Sequence, residues 1–99
     1  MKRKASVSHD VALIRELRDN PRFALEYLRA ALEESEPTVL LAALRRVVQA
    51  RGVAKIAKTA GIERESLYRA LSPRGNPRLS TLAAVTKAVG LRLTVEAAP

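Results

Sequence analysis

Five polar residues lie close together in the segment from Arg64 to Leu71, whose apolar residues recur at helical spacing. Leu67, Ala70 and Leu71 share one helical face, so the polar side chains must project from the opposite face. An arginine guanidinium matches the paired acceptors of guanine, a glutamate can accept from the cytosine amine, and hydroxyls can donate to bases or phosphates. The candidate base-contacting residues are therefore Arg64, Glu65, Ser66, Tyr68 and Arg69.

Positive charge is concentrated in the second half of the chain. The formal net charge is +8, and residues 51–99 contain nine Lys and Arg against three Asp and Glu. A basic surface of this kind is typical of proteins that bind a polyanion, because neutralised phosphates release condensed counterions. A merely solubilising surface is the alternative interpretation. The candidate phosphate contacts are Arg51, Lys55, Lys58, Arg74, Asn76 and Arg78.

The segment just before the candidate base contacts has the residues of a tight turn between two short helices. Ala57 is small enough for a close approach of the helices, Gly61 can take a left-handed conformation, and Ile62 can fill the corner. With Leu67 in the seam, the pattern predicts a helix-turn-helix at about residues 53–71. The second helix of this motif enters the DNA major groove. A plain helical hairpin with a solvated outer face is the alternative.

The composition predicts an all-α fold that can position this turn. Hydrophobic residues make up 47% of the 99 residues and aromatic residues only 3%, so Leu, Val, Ile and Ala must fill the core. These residues suit closely packed helices. We expect about five to six short helices in a single domain over residues 10–99. Residues 1–9 are basic and have little to bury, which predicts a flexible tail.

Capping residues predict where the helices begin and end. Asp10 is expected to cap a short helix from Val11 to Leu17, and Asn20 with Pro21 to start a second helix that ends at about Glu34. A broad apolar stripe predicts a central third helix over residues 37–51. Gly52 is expected to end this helix, and a fourth helix is predicted over residues 53–60. Gly61 then precedes a fifth helix, predicted over residues 64–71.

The last part of the chain has turn residues, a helix and an alternating segment. Residues 72–77 predict a loop, and Ser80 is expected to cap a helix that runs to Val89. Residues 91–96 alternate apolar and polar side chains, which predicts a short β-strand. A lone strand needs a partner, either a second copy of the chain or another protein. An extended tail packed on the last helix is the alternative.

Enzymatic and metal-dependent functions are not expected. The chain has no cysteine and one histidine, His9, and it contains neither a nucleophile beside a base nor a glycine-rich phosphate loop. We therefore predict a protein that is not an enzyme and needs no cofactor or metal. The sequence has no signal peptide and no membrane-spanning apolar run, so we expect a protein of the reducing cytoplasm.

Several motifs occur together across most of the chain. They are residues 27–34 (YLRAALEE), 40–45 (LLAALR), 66–72 (SLYRALS), 75–77 (GNP) with 80–82 (STL), and 88–93 (AVGLRL). In this combination the chain resembles the antidote proteins of addiction modules, relatives of the HigA-type antitoxins with a Cro/repressor-like (XRE-like) helix-turn-helix. Val53 and Glu63 depart from the family pattern, because polar and capping residues are common at these two positions.

The resemblance implies a homodimeric antitoxin that binds double-stranded DNA at its own operator. It also implies a cognate small toxin of the RelE/ParE-like kind, encoded nearby, and repression of the shared promoter by occlusion. The alternative is a stand-alone helix-turn-helix repressor without a toxin partner. An RNA-binding or protein-interaction domain is a weaker alternative, because single-stranded RNA readers usually display stacking aromatic residues and Tyr68 is the one aromatic residue near the basic segment.

Overall fold

The computed structural model describes the backbone of residues 2–99 and the side chains of residues 9–99. This part of the chain is all-helical, as predicted, and has no strand. Its six helices are α1 (Lys2–Asp19), α2 (Pro21–Leu32), α3 (Pro37–Arg51), α4 (Val53–Ala60), α5 (Arg64–Ala70) and α6 (Leu79–Ala88). No helix in the described residues is long and apolar enough to cross a membrane.

Helix α3 is the centre of the fold, and its predicted bounds are confirmed. It contacts α1, α2 and α4, because its apolar residues cover more than one face of the helix. Six of its side chains are buried. They are Leu41, Ala43, Leu44, Val47, Val48 and Ala50.

Helix α1 is longer than the sequence predicts, and its predicted start is wrong. The helix begins at Lys2 rather than Val11, because no Pro or Gly interrupts the preceding residues. Asp10 therefore lies inside the helix, where its carboxylate is 3.8 Å from the Arg46 guanidinium on α3 instead of capping free amides. Met1 and the side chains of residues 2–8 lie outside the described part, and the flexibility of residues 1–9 stays a prediction.

The junction between α1 and α2 follows the predicted capping chemistry. The Asn20 side chain accepts a hydrogen bond from the Phe23 N–H at 3.1 Å, and Pro21 occupies the first turn of α2. The neighbouring Asp19 carboxylate accepts a hydrogen bond from the Arg18 guanidinium at 2.8 Å, which lowers the pKa of Asp19 from its ordinary value. Helix α2 ends at Leu32, two residues before the predicted end.

Helices α4, α5 and α6 form the second half of the fold around α4. Helix α4 contacts α3, α5 and α6, and Ile56 and Val85 are buried in α4 and α6. The prediction that Ser80 caps the last helix is wrong. The helix starts at Leu79, after Arg78, because the extended backbone at Arg78 already provides the change of direction that a cap requires.

The predicted strand at the C-terminus is not formed, which corrects the sequence prediction. Residues 91–99 have no regular secondary structure. A strand needs a neighbour for its N–H and C=O groups, and no second strand exists within residues 2–99. Leu91 packs against the core, while residues 92–99 are exposed.

Arg51, at the C-terminal end of α3, connects the two halves of the fold. Its Nε donates to the Leu17 carbonyl in the last turn of α1 at 3.1 Å, and its Nη1 donates to the Val89 carbonyl after α6 at 3.3 Å. The last carbonyls of a helix have no partner within the helix and accept readily from cations. One side chain therefore holds the ends of two helices that are distant in sequence.

We expect Arg51→Met to lower the free energy of unfolding by about 1–3 kcal/mol, because charged hydrogen bonds to two carbonyls are lost while the side-chain volume is largely kept. Chemical denaturation measures this loss. Arg22→Met, at an exposed arginine of α2, is the matched control and should change stability by less than about 0.5 kcal/mol. Equal effects of the two substitutions would contradict the bridging role of Arg51.

Candidate nucleic-acid interface

The turn between α4 and α5 is closed by two backbone hydrogen bonds around Gly61. The Ile62 N–H donates to the Ala57 carbonyl at 2.9 Å, and the Gly61 N–H donates to the Lys58 carbonyl at 3.2 Å. This pair of bonds is the Schellman motif, which needs a left-handed residue after the helix. Gly61 has φ 71° and ψ 32° and provides that conformation. The turn therefore ends α4 sharply and redirects the chain into α5.

The apolar seam of α4 and α5 joins this pair to the core. Ala57 and Ile56 of α4 and Leu67 of α5 are buried, as is Leu71 just after α5. Ile62 is partly buried at the corner and packs against the same cluster. The two helices are therefore held by one continuous hydrophobic contact, and α5 has only one face left for solvent.

The outer face of α5 presents the five candidate base contacts together. The side chains of Arg64, Glu65, Ser66 and Arg69 are exposed, and Tyr68 is 40% exposed. Among the described residues, none of the charged members of this set is held in an ion pair. The charges on this face are therefore available to an external partner.

Apart from Arg51, the other candidate contacts lie on α4 and on the segment after α5, the two stretches of chain on either side of α5 in sequence. Lys55 and Lys58 are exposed on α4, and Arg74, Asn76 and Arg78 are exposed between α5 and α6. Arg51 is placed differently from these residues. Two of its donors are bound to main-chain carbonyls, so its guanidinium has a structural role that sequence analysis did not predict.

Arg45 is a second arginine that positions the site and that sequence analysis missed. Its Nη1 donates to the Leu71 carbonyl at the C-terminal end of α5, at 3.1 Å. The sequence shows only an arginine among the apolar residues of α3, whereas the structure places its side chain at a half-buried position. Because α5 contributes its outer face to the candidate interface, this bond fixes the helix relative to the central helix α3.

The segment after α5 folds back onto the end of that helix. The Ser72 hydroxyl donates to the Arg69 carbonyl at 2.8 Å, and the Gly75 N–H donates to the Ser72 carbonyl at 2.8 Å. Gly75 lies so close to the Ala70 carbonyl group that an added Cβ would be 2.7 Å from its carbon. A glycine is therefore required at this position by contact, and the loop carrying Arg74 and Asn76 lies directly against α5.

Comparison with known proteins assigns the chain to a family. The model of the family described as probable addiction module antidote protein matches residues 8–97. The chain belongs to this family. An antidote of an addiction module implies a cognate toxin as its partner.

A protein of Haemophilus influenzae is similar to this chain over most of its length. An uncharacterized protein of Haemophilus influenzae is 43% identical over 70 residues, which cover 71% of this chain and 72% of the relative. No solved structure matches the chain significantly. The family assignment therefore rests on sequence similarity.

We expect Gly75→Ala to lower the free energy of unfolding by about 1–3 kcal/mol, because the new methyl group would overlap the Ala70 carbonyl. Thermal or urea unfolding tests this expectation. Asn76→Ala, at the exposed neighbouring position, is the control and should be close to neutral. A fully stable Gly75→Ala variant would show that the loop does not need to lie against α5.

Proposed function

We propose that this chain is a HigA-like, DNA-binding antitoxin that represses its own operon and neutralises a small RelE/ParE-like toxin. Family membership supports the antidote part of this proposal. The DNA-binding part rests on one observation about α5. This helix buries Leu67 towards the core and presents five polar side chains to solvent, and the charged members of this set form no ion pair within the described residues. We assign the α4–α5 pair as a Cro/repressor-type (XRE-like) helix-turn-helix.

In this proposal α5 enters the major groove of the operator. The N-terminal residues of a recognition helix meet the base edges, which assigns Arg64, Glu65 and Ser66 to bases. Arg69 lies about one turn later and shares the outer face with Glu65. Arginine would select guanine through O6 and N7, and Glu65 would accept from a cytosine amine.

The flanking cations would bind the DNA backbone. Lys55 and Lys58 on α4 and Arg74 and Arg78 beyond α5 are exposed, and the amide of Asn76 can also donate to a phosphate oxygen. We leave Arg51 out of this set because its donors bind the ends of α1 and α6. These contacts would supply affinity that depends on salt, while the bases supply sequence preference.

A homodimer completes the proposed mechanism. Two recognition helices on a two-fold axis would contact half-sites about 34–36 Å apart on one side of the duplex. Occupancy of such an operator would exclude polymerase from the shared promoter. No chemical step is involved, and the toxin would be neutralised by formation of a stable complex.

Expression of the small reading frame beside this gene tests the antitoxin role. We expect its product to arrest growth, growth to recover when this chain is co-expressed, and the two proteins to purify as a complex. A neighbouring product that is harmless or does not bind would remove the toxin from the proposal and leave a stand-alone repressor.

Arg69→Ala should weaken binding to the operator by about 1–3 kcal/mol and reduce discrimination at one base position, because a guanidinium contact to a base is lost. Titration with the operator and with single-base variants measures both effects. Arg22→Ala removes the same charge from α2, which packs on α1 and α3, and should change neither. Unchanged base preference in Arg69→Ala would contradict the proposed orientation of α5.

Lys58→Ala provides the complementary comparison for a phosphate contact. It should weaken binding to operator and unrelated duplexes alike, and lower the slope of log affinity against log salt by about one unit. A slope equal to that of the unsubstituted protein would remove Lys58 from the set of phosphate contacts.

A further inference from the structure

The C-terminal segment is anchored at its beginning and leaves apolar side chains exposed at its end. Gly90 has φ 86°, and the Leu91 N–H donates to the Thr86 carbonyl at 2.9 Å, so the chain leaves α6 through a second Schellman motif. Beyond this anchor, Leu93 is 49% exposed and Val95 is 94% exposed. The segment therefore has a defined origin and an apolar surface without a partner in the described chain.

The same segment forms one wall of an open apolar groove. The groove has a volume of about 710 Å³ and lies between α2, α3 and α6, with Leu25, Leu32, Leu40 and Leu82 among its lining residues. Residues 91–94 line it as well. Exposed apolar side chains and an apolar groove thus belong to one continuous patch. A patch that contains both features can be complementary to itself across a two-fold axis.

The residue order of the segment supports pairing with an identical segment. In an antiparallel pair centred on Thr94, Arg92 lies opposite the partner's Glu96, and the symmetric contact occurs a second time. Leu93 then lies opposite the partner's Val95 on the other face. Centring the pair on Arg92 or on Glu96 would instead place two like charges opposite each other, which is unfavourable.

We propose that residues 91–97 pair antiparallel with the same residues of a second copy of this chain, about a two-fold axis at Thr94, and that the added segment covers the apolar groove. This inference specifies an interface for the homodimer of the proposed function and rests on that homodimer. Pairing would satisfy the N–H and C=O groups that have no ladder partner in the single chain. The need for a second copy also explains why residues 91–96, which alternate apolar and polar side chains, form no strand within residues 2–99 of a single chain.

Charge reversal at the paired positions tests the register. In sedimentation equilibrium of the full chain without DNA or toxin, Arg92→Glu and Glu96→Arg should each raise the dimer dissociation constant by about tenfold or more, because both symmetric pairs become like-charged. The double variant R92E/E96R should return to within about threefold of the unsubstituted protein. An equimolar mixture of the two single variants should form a mixed dimer for the same reason.

The reversal experiment also identifies the competing outcomes. A chain that is monomeric at all concentrations, or a dimer that none of the reversals weakens, would overturn the proposal. Binding of the toxin to this segment in place of a second copy would appear as a monomeric free chain whose toxin complex is weakened by the same substitutions, and would likewise overturn it. The DNA-binding proposal is judged separately, by operator titration of the α5 variants.

A cysteine placed on the proposed axis gives an independent test. The chain has no cysteine, so Thr94→Cys would introduce a single thiol that faces its own copy across the axis. Mild oxidation should yield a disulfide-linked dimer at low protein concentration, because opposed β-carbons lie about 4.5–5.5 Å apart in such a pair. Ala98→Cys, further along the exposed segment, is the control and should cross-link much more slowly. Equal cross-linking at both positions would contradict the register.

Discussion

The arrangement of the fold depends on the hydrogen bonds that two arginines of α3 donate to the ends of other helices. Arg51 binds carbonyls at the ends of α1 and α6, and Arg45 binds the carbonyl of Leu71 after α5. These carbonyls carry the partial negative charge of a helix C-terminus, which favours a cation. Apolar contacts alone would hold the helices together but would constrain their ends less. The orientation of α5 therefore follows from α3, in the centre of the molecule.

Local chemistry in the sequence was sufficient to predict most of the helix boundaries. Asn20 with Pro21, Gly52 and Gly61 act within one turn of their own positions, so their effects could be inferred from neighbouring residues. The wrong predictions at Asp10 and Ser80 have a common cause. A residue type that favours a cap can also lie inside a helix, at a small cost in helix propensity, when the helix begins before it.

Interactions between distant residues could not be predicted in this way. Arg45 and Leu71 are 26 residues apart, and Arg51 and Val89 are 38 residues apart. In the sequence, both arginines have the same appearance as the exposed cations of α4. Gly75 could be assigned to a loop, but its contact with Ala70 depends on how that loop folds back. The alternation of residues 91–96 was a correct observation about side-chain pattern, whereas strand formation depends on a second strand, and residues 2–99 contain none.

The division of α5 into a buried and an exposed face separates two kinds of evolutionary constraint. Leu67 is buried in the core, while Arg64, Glu65, Ser66, Tyr68 and Arg69 are exposed. Substitutions at exposed positions of this kind usually alter stability by less than about 0.5 kcal/mol. Under the proposed function, duplicated copies of the gene could therefore diverge in the DNA sequence they bind without first acquiring compensating mutations in the core. In that proposal, selection for the bound sequence and selection for a stable fold would act on different residues of α5.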